Sequence, residues 1–140
     1  MLEPVVLDAS AWLAVLLTEE GYEAIEAVLV RRPLLAPEII RYETANGVLR
    51  ATAAGRLALS RQTVGELLEL IRIFPVQIVP IEVFWKHTTR LVQRHDLTFY
   101  DAVYLGAALA FKVPLLTLDG KMRAVMRQEA IPSPPHAEIA

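Results

Sequence analysis

The 140-residue sequence has no cysteine. That excludes a disulfide framework, thiolate-bound zinc, an iron–sulfur cluster and a cysteine nucleophile, and it suits a reducing cytoplasm. Glycine is scarce, and no Gly-x-Gly-x-x-Gly run is present, so Rossmann-type dinucleotide binding is not expected. Long hydrophobic runs are missing too. The most apolar stretch, 102–118, contains Lys112 and Pro114 and abuts Asp101 and Asp119, so no membrane span is expected. The opening Met1-Leu2-Glu3-Pro4 lacks a basic, secretory-type n-region. A cytoplasmic protein with no membrane partner is the expectation. Positive charge is also short: 14 basic residues face 16 acidic ones, for a net −2. A nucleic-acid binder usually carries a basic patch, so the overall count does not favour one.

What is present describes a folded α/β protein. Apolar residues make up 54% and charged residues 21% of the chain, a globular balance. The length fits one domain that buries roughly two-thirds of its unfolded surface. We expect one domain over 1–132 and a tail over 133–140. Prolines punctuate short apolar runs: Val5-Val6-Leu7-Asp8 after Pro4, Leu34-Leu35-Ala36 between Pro33 and Pro37, Val76-Gln77-Ile78-Val79 between Pro75 and Pro80, and Leu115-Leu116-Thr117-Leu118 after Pro114. None alternates polar with apolar, which is the pattern of strands buried on both faces of a parallel sheet. Helical patterns fill the intervals: 11–17, 22–30, 38–53, 61–74, 83–94 (with Trp85 on its apolar side), 99–111 and 121–129. The alternation predicts a three-layer α/β/α sandwich around a parallel sheet of four to five strands, with a short edge strand expected after Pro132.

Two aspartates end predicted strands, Asp8 the first and Asp119 the fourth. Open α/β sheets bind ligands just beyond the carboxyl ends of their strands. Asp101 opens a helix after Thr98, and Glu43 lies in a helix among apolar neighbours. Each acid also has a structural explanation. Asp8 can accept backbone N–H bonds while Ser10 caps the next helix. Asp119-Gly120 fits a turn, Thr98-x-x-Asp101 fits a capping box, and Glu43 can be a solvated charge near Arg50. Two strand-end aspartates with two helix acids in apolar surroundings exceed what turns and caps require. Setting the four acids aside leaves 14 basic against 12 acidic residues, a balance of +2, and eleven of the basic residues are arginines suited to phosphate. Arg41, Arg50, Arg56 and Arg61 cluster in sequence near Glu43, as a solvated face or a phosphate grip. His87 and His95 lack metal-ligand spacing and read as a core-edge residue and a helix-end cation. The run Trp12 to Leu17 is apolar throughout, and reads as core with a dimer surface.

Four blocks of sequence resemble the PIN domain, and within it the VapC-type toxins of bacterial and archaeal toxin–antitoxin pairs. They are Val6-Leu7-Asp8-Ala9-Ser10-Ala11, Tyr42-Glu43-Thr44-Ala45-Asn46, Tyr100-Asp101-Ala102-Val103-Tyr104-Leu105-Gly106-Ala107-Ala108 and Leu116-Thr117-Leu118-Asp119-Gly120-Lys121, in the family's order and spanning nearly the whole chain. The resemblance implies that Asp8, Glu43, Asp101 and Asp119 bind metal and carry catalysis, with Ser10, Asn46 and Thr117 in support. It places the first and fourth strands side by side. It implies a ribonuclease that leaves a 5′-phosphate and a 3′-hydroxyl, with an antitoxin protein as partner and a homodimeric state.

The chemistry agrees with those residue types. Two carboxylates 4 Å apart repel by about 4 kcal/mol at an effective dielectric near 20. A divalent cation relieves that repulsion, and an all-oxygen donor set favours Mg²⁺ or Mn²⁺ over zinc. Two alternatives remain open at this stage. A response-regulator receiver has similar length and strand-end acids, but it needs an aspartate closing its third strand, where this chain has Val79-Pro80-Ile81-Glu82. A catalytically silent PIN scaffold would not need all four acids.

Overall fold

Each apolar run becomes a short strand and each helical pattern a helix in a computed structural model that describes residues 2–55 and 59–134. In chain order these are β1 (Val5–Leu7), α1 (Ala9–Leu16), α2 (Tyr22–Arg31), β2 (Leu34–Pro37), α3 (Ile39–Ala53), α4 (Arg61–Ile73), β3 (Gln77–Val79), a 3₁₀ turn (Ile81–Val83), α5 (Trp85–Arg94), α6 (Phe99–Phe111), β4 (Leu115–Leu116) and α7 (Gly120–Glu129). Arg56 and the end of the tail, 135–140, lie outside the described residues.

The sheet is parallel, with strand order β3-β2-β1-β4. Val6 stands opposite Leu35 on one side and Leu115 on the other. Val5, Val6 and Leu7 are completely buried, as a central strand covered on both faces must be. The chain steps outward from β1 to β2 to β3, then crosses back to lay β4 on the other side of β1. With right-handed crossovers, that reversal puts α1–α4 on one face and α5–α6 on the opposite face. It also makes the β1/β4 boundary the switch point where such sheets bind ligands. The expected sandwich and the adjacency of the first and fourth strands are both present.

Several details differ from the sequence reading. β4 stops at Leu116, because its partner stops first: the Asp8 N–H donates to the Leu116 carbonyl at 3.1 Å, and the chain then turns into α1. Thr117 to Asp119 therefore lie in a connection rather than a strand. Asp8, not Ser10, occupies the extended N-cap position of α1. The pattern 83–94 is broken at Phe84 (φ −125°, ψ 17°), so Val83 ends a 3₁₀ turn and α5 begins at Trp85, whose ring is exposed. No strand forms at Pro132 among the described residues. Its carbonyl instead accepts the Leu115 N–H at 3.0 Å, which occupies the open edge of β4. Trp12 is buried, its ring 5.9 Å from that of Phe74, so it belongs to the core and offers no surface to a second subunit.

α6 is the core helix: every residue from Ala102 to Ala108 is buried, and it packs on β1, β2 and α5. Gly106 permits the close approach to α5. A Cβ there would lie 2.3 Å from Thr88 Oγ1 and 3.1–3.2 Å from the Thr88 backbone. Thr88 is itself buried and donates its hydroxyl to the Phe84 carbonyl at 2.9 Å, so it has no room to yield. Gly106→Ala should therefore cost about 1–3 kcal/mol by overpacking, despite alanine's better helix propensity. Chemical denaturation checks this, and an unchanged or raised midpoint would contradict it.

Candidate active site

Asp8 is where the central strand ends, and its side chain is only 5% exposed. Two hydroxyls converge on its Oδ2, Ser10 Oγ and Thr117 Oγ1, each donating at 2.6 Å. Both are also acceptors from the backbone on the β4 side: Ser10 Oγ takes the Leu118 N–H at 3.0 Å, and Thr117 Oγ1 takes the Asp119 N–H at 3.1 Å. Each hydroxyl thus relays an amide dipole toward the carboxylate. The same bonds tie the end of β1 to the connection after β4.

The other three acids come from the elements around this point. Asp119 caps α7, its Oδ1 accepting the Met122 N–H at 2.9 Å. Asp101 sits in the first turn of α6, its backbone N–H donated to Thr98 Oγ1 at 3.1 Å. Glu43, in α3, accepts a short hydrogen bond from the Tyr104 hydroxyl, 2.5 Å. Thr98 therefore caps α6 as expected, whereas Asp119, expected in an ordinary turn, is the N-cap of α7. These caps do not exclude convergence, since Asp8, Glu43, Asp101 and Asp119 all line one cavity of about 270 Å³, together with Ser10 and Arg50. Thr117 reaches it through Asp8. Asn46 stands apart, exposed in an adjoining recess that it shares with Glu43 and Arg50.

The electrostatics show the cost of this arrangement. Burial pushes the Asp8 carboxyl above its ordinary range, against the pull of Ser10, Thr117 and the backbone of Ala9 and Ser10. Glu43 is raised chiefly by burial. The Tyr104 hydroxyl opposes this, the charges of Asp8 and Asp101 add to it, and Arg50 partly offsets it. Burial and the bond to Glu43 push the Tyr104 phenol far up, so it stays a neutral donor. Burial and like charge thus disfavour ionisation here, which is the situation a cation relieves.

Among the described residues, no three acid or histidine side chains are gathered tightly enough to cage an ion unaided. The donor set still suits Mg²⁺ or Mn²⁺. Such an ion keeps several waters and needs only one or two carboxylates directly, with the others acting through water.

Two participants were not assigned as site residues from sequence. Tyr104 lies one helical turn after Asp101 and on the same face, within the quoted motif. Its polar hydroxyl inside an apolar helix was the available signal. Arg50 follows Glu43 by two turns, so it too shares a face with its acid. Of the remaining arginines, Arg41 is half-buried and Arg61 is exposed at the start of α4. Neither histidine lines the acid cavity; His95 Nε2 contacts Glu129 Oε2 at 2.6 Å.

A family model of the PIN domain matches residues 5–127. The chain belongs to the PIN domain family. Ribonuclease VapC1 of Mycobacterium tuberculosis, from strains CDC 1551 / Oshkosh and ATCC 25618 / H37Rv, is 44% identical over 45 residues, covering 29% of this chain and 34% of the relative. The match therefore spans about a third of those relatives' length. The crystal structure of Mycobacterium tuberculosis VapC20, described as a Sarcin-Ricin loop cleaving toxin, superimposes with a TM-score of 0.61 at 15% identity, covering 86% of this chain and 94% of that one. At that identity the likeness is one of fold, and this PIN domain shares it.

The raised carboxyls give a stability prediction for metal-free protein. A folded-state pKa above the unfolded one means that the native state holds more protons in that window. Stability is then greatest below the unfolded value and declines as pH rises through the folded one. Asp8→Asn keeps an oxygen to accept both hydroxyls but carries no charge. In chelator, its melting temperature should exceed that of the wild type at neutral pH, and the gap should close as pH falls toward the ordinary carboxylate range. A variant less stable than wild type at neutral pH would refute the charge argument.

Proposed function

We propose that this PIN domain is a divalent-metal-dependent endoribonuclease, and that it serves as the toxin of a type II toxin–antitoxin pair. The observation that carries the nuclease reading is the convergence of Asp8, Glu43, Asp101 and Asp119, drawn from β1, α3, α6 and the β4–α7 connection, on one cavity. The family match and the ribonuclease name of the VapC1 relatives support RNA as the substrate.

The reaction is in-line hydrolysis. A water oxygen bonds to phosphorus as the bond to the 3′-oxygen breaks. The leaving alkoxide takes up a proton, giving a 5′-phosphate and a 3′-hydroxyl. Bound Mg²⁺ or Mn²⁺ supplies the Lewis acidity that polarises the phosphate and acidifies a water. Asp8 and Asp101 would hold such an ion directly, and Glu43 and Asp119 directly or through water. Ser10 and Thr117 fix the carboxylate plane of Asp8 by both engaging Oδ2. Tyr104 fixes Glu43. Asn46, beside Glu43 in the adjoining recess, supports that side of the site. Arg50, on the cavity wall, is placed to meet a phosphate oxygen. The four acids leave nothing for a silent scaffold to explain, and the 3₁₀ turn after β3 offers no phosphoacceptor aspartate for a receiver.

The toxin reading brings an antitoxin protein as partner and a homodimeric state. No described helix is long and apolar enough to cross a membrane. Co-expression with a small DNA-binding protein encoded alongside it tests the toxin role, since such a partner should relieve growth arrest.

For the nuclease, Asp8→Asn and Asp101→Asn should each lower RNA cleavage in Mg²⁺ or Mn²⁺ by at least about a hundredfold, because even partners of metal ligands typically cost 10–100-fold. Tyr104→Phe, which only frees Glu43, should fall within that smaller range. Near-wild-type turnover by either asparagine variant would sink the assignment, and undiminished cleavage in chelator would remove the metal.

A further inference from the structure

The carboxyl edge of the sheet is divided in character. Where β1 and β4 end, it carries acids. Where β2 and β3 end, at Pro37 and Val79, a cleft of about 470 Å³ opens, walled mainly by Ile39, Ile78, Ile81, Phe99, Tyr100 and Val103, with Glu38 the one charged residue in its lining. Between the two halves lies a recess of about 260 Å³ lined by Ile39, Tyr42, Glu43, Asn46, Arg50 and Tyr100. It shares Glu43 and Arg50 with the acid cavity and Ile39 and Tyr100 with the apolar cleft. The three spaces therefore form one depression, running from the carboxylates to the apolar end. Tyr42 and Tyr100 line it, and these residues are 61% and 59% exposed. Phe99 is held by a tilted ring contact with Trp85, centroids 5.2 Å apart. Arg50 is the one cation among the described residues lining the depression, and it stands at the junction of its polar and middle parts.

We infer that the apolar cleft seats a nucleobase of single-stranded RNA that flanks the scissile phosphodiester, with Tyr100 as the stacking platform. The inference rests on the nuclease reading. Its ligand must carry negative charge at the Arg50 end and a desolvated face at the other, with only the shared walls between them. A ribonucleotide strand has that alternation built in: an anionic phosphate, then a flat base with an apolar π-face. Unpaired bases are free to splay into such a cleft, whereas duplex bases are occupied with each other. Stacking on an exposed tyrosine tolerates any base, so the cleft gives grip near the cut and selects single strands. Phe99 and Tyr100 directly precede Asp101, so a base seated there would hold the strand in register with a carboxylate of the site.

Fluorescence anisotropy tests this with two labelled probes of equal length, oligoadenylate and a ribose-phosphate oligomer without bases, in Ca²⁺ to neutralise the acids. Wild-type protein should bind oligoadenylate about tenfold tighter than the baseless strand, a typical stacking contribution. Tyr100→Ala should reduce that ratio to about two or less, and Tyr100→Phe, which keeps the ring, should restore it. Tyr100 is exposed, so neither variant threatens the fold; circular dichroism verifies it. Equal binding of both probes by wild type, or full discrimination by Tyr100→Ala, overturns the inference. Cleavage of RNA by wild type in Mg²⁺, scored separately, tells the two readings apart: cleavage without base discrimination removes the cleft assignment alone, while neither cleavage nor binding removes both. A wild-type dimer that Tyr100→Ala turns into monomers, with no base discrimination, would assign the cleft to a second copy of the chain instead.

Discussion

The structure depends on a carboxylate kept in a nearly closed place. Asp8 ends a strand with no exposed surface of its own, and a lone carboxylate there would simply stay protonated. Two hydroxyls bonded to one of its oxygens, each aligned by a backbone amide behind it, recover part of the lost hydration. They do not recover all of it, since the group remains harder to ionise than a free aspartate. The remaining deficit is what a cation can make good. Glu43 repeats the arrangement with one phenol in place of two hydroxyls, and it feels the charges of Asp8 and Asp101 besides.

The fold arranges for these groups to meet. Parallel strands all point their carboxyl ends to one edge, and the reversal of strand order at β1 opens that edge to a ligand. α3 starts directly after β2, and α6 begins at the same end of the molecule. Their first two turns therefore reach over the edge and deliver Glu43, Asp101 and Tyr104. Gly106 lets α5 seat against α6, which fixes the helix carrying both Asp101 and Tyr104.

Much of this could be read in the sequence, for identifiable reasons. Apolar runs that follow a proline, two of them closed by a second, marked the four described strands, because strands buried on both faces tolerate little else. Helical patterns located the seven described α-helices to within a few residues, and four separated motifs nominated the four acids. What the sequence could not reveal was set by partners far along the chain. The length of β4 was decided by β1 turning into a helix at Asp8. The break at Phe84 replaced one long helix by a turn and a shorter one. Trp12 looked equally suited to a core or an interface until Phe74 was seen beside it. Tyr104 was visible as part of a motif, but its role required knowing that α3 and α6 approach each other. Arg50 was one of four arginines that the sequence offered as a solvated face or a phosphate grip, and only the structure sets it on the wall of the acid cavity; the apolar cleft appears only when the ends of β2 and β3 are set beside those of β1 and β4.

The clasp between Ser10, Thr117 and Asp8 joins residues 107 and 109 positions apart in the sequence. Its later half, Thr117, lies in the connection that follows β4, the last of the described strands along the chain. While a ribosome is still extending the chain through that region, β1 has no β4 beside it, Asp8 has one hydroxyl rather than two, and Asp119 is absent from the cavity. The acid cavity is therefore assembled late, when β4 and the connection after it come to lie beside β1.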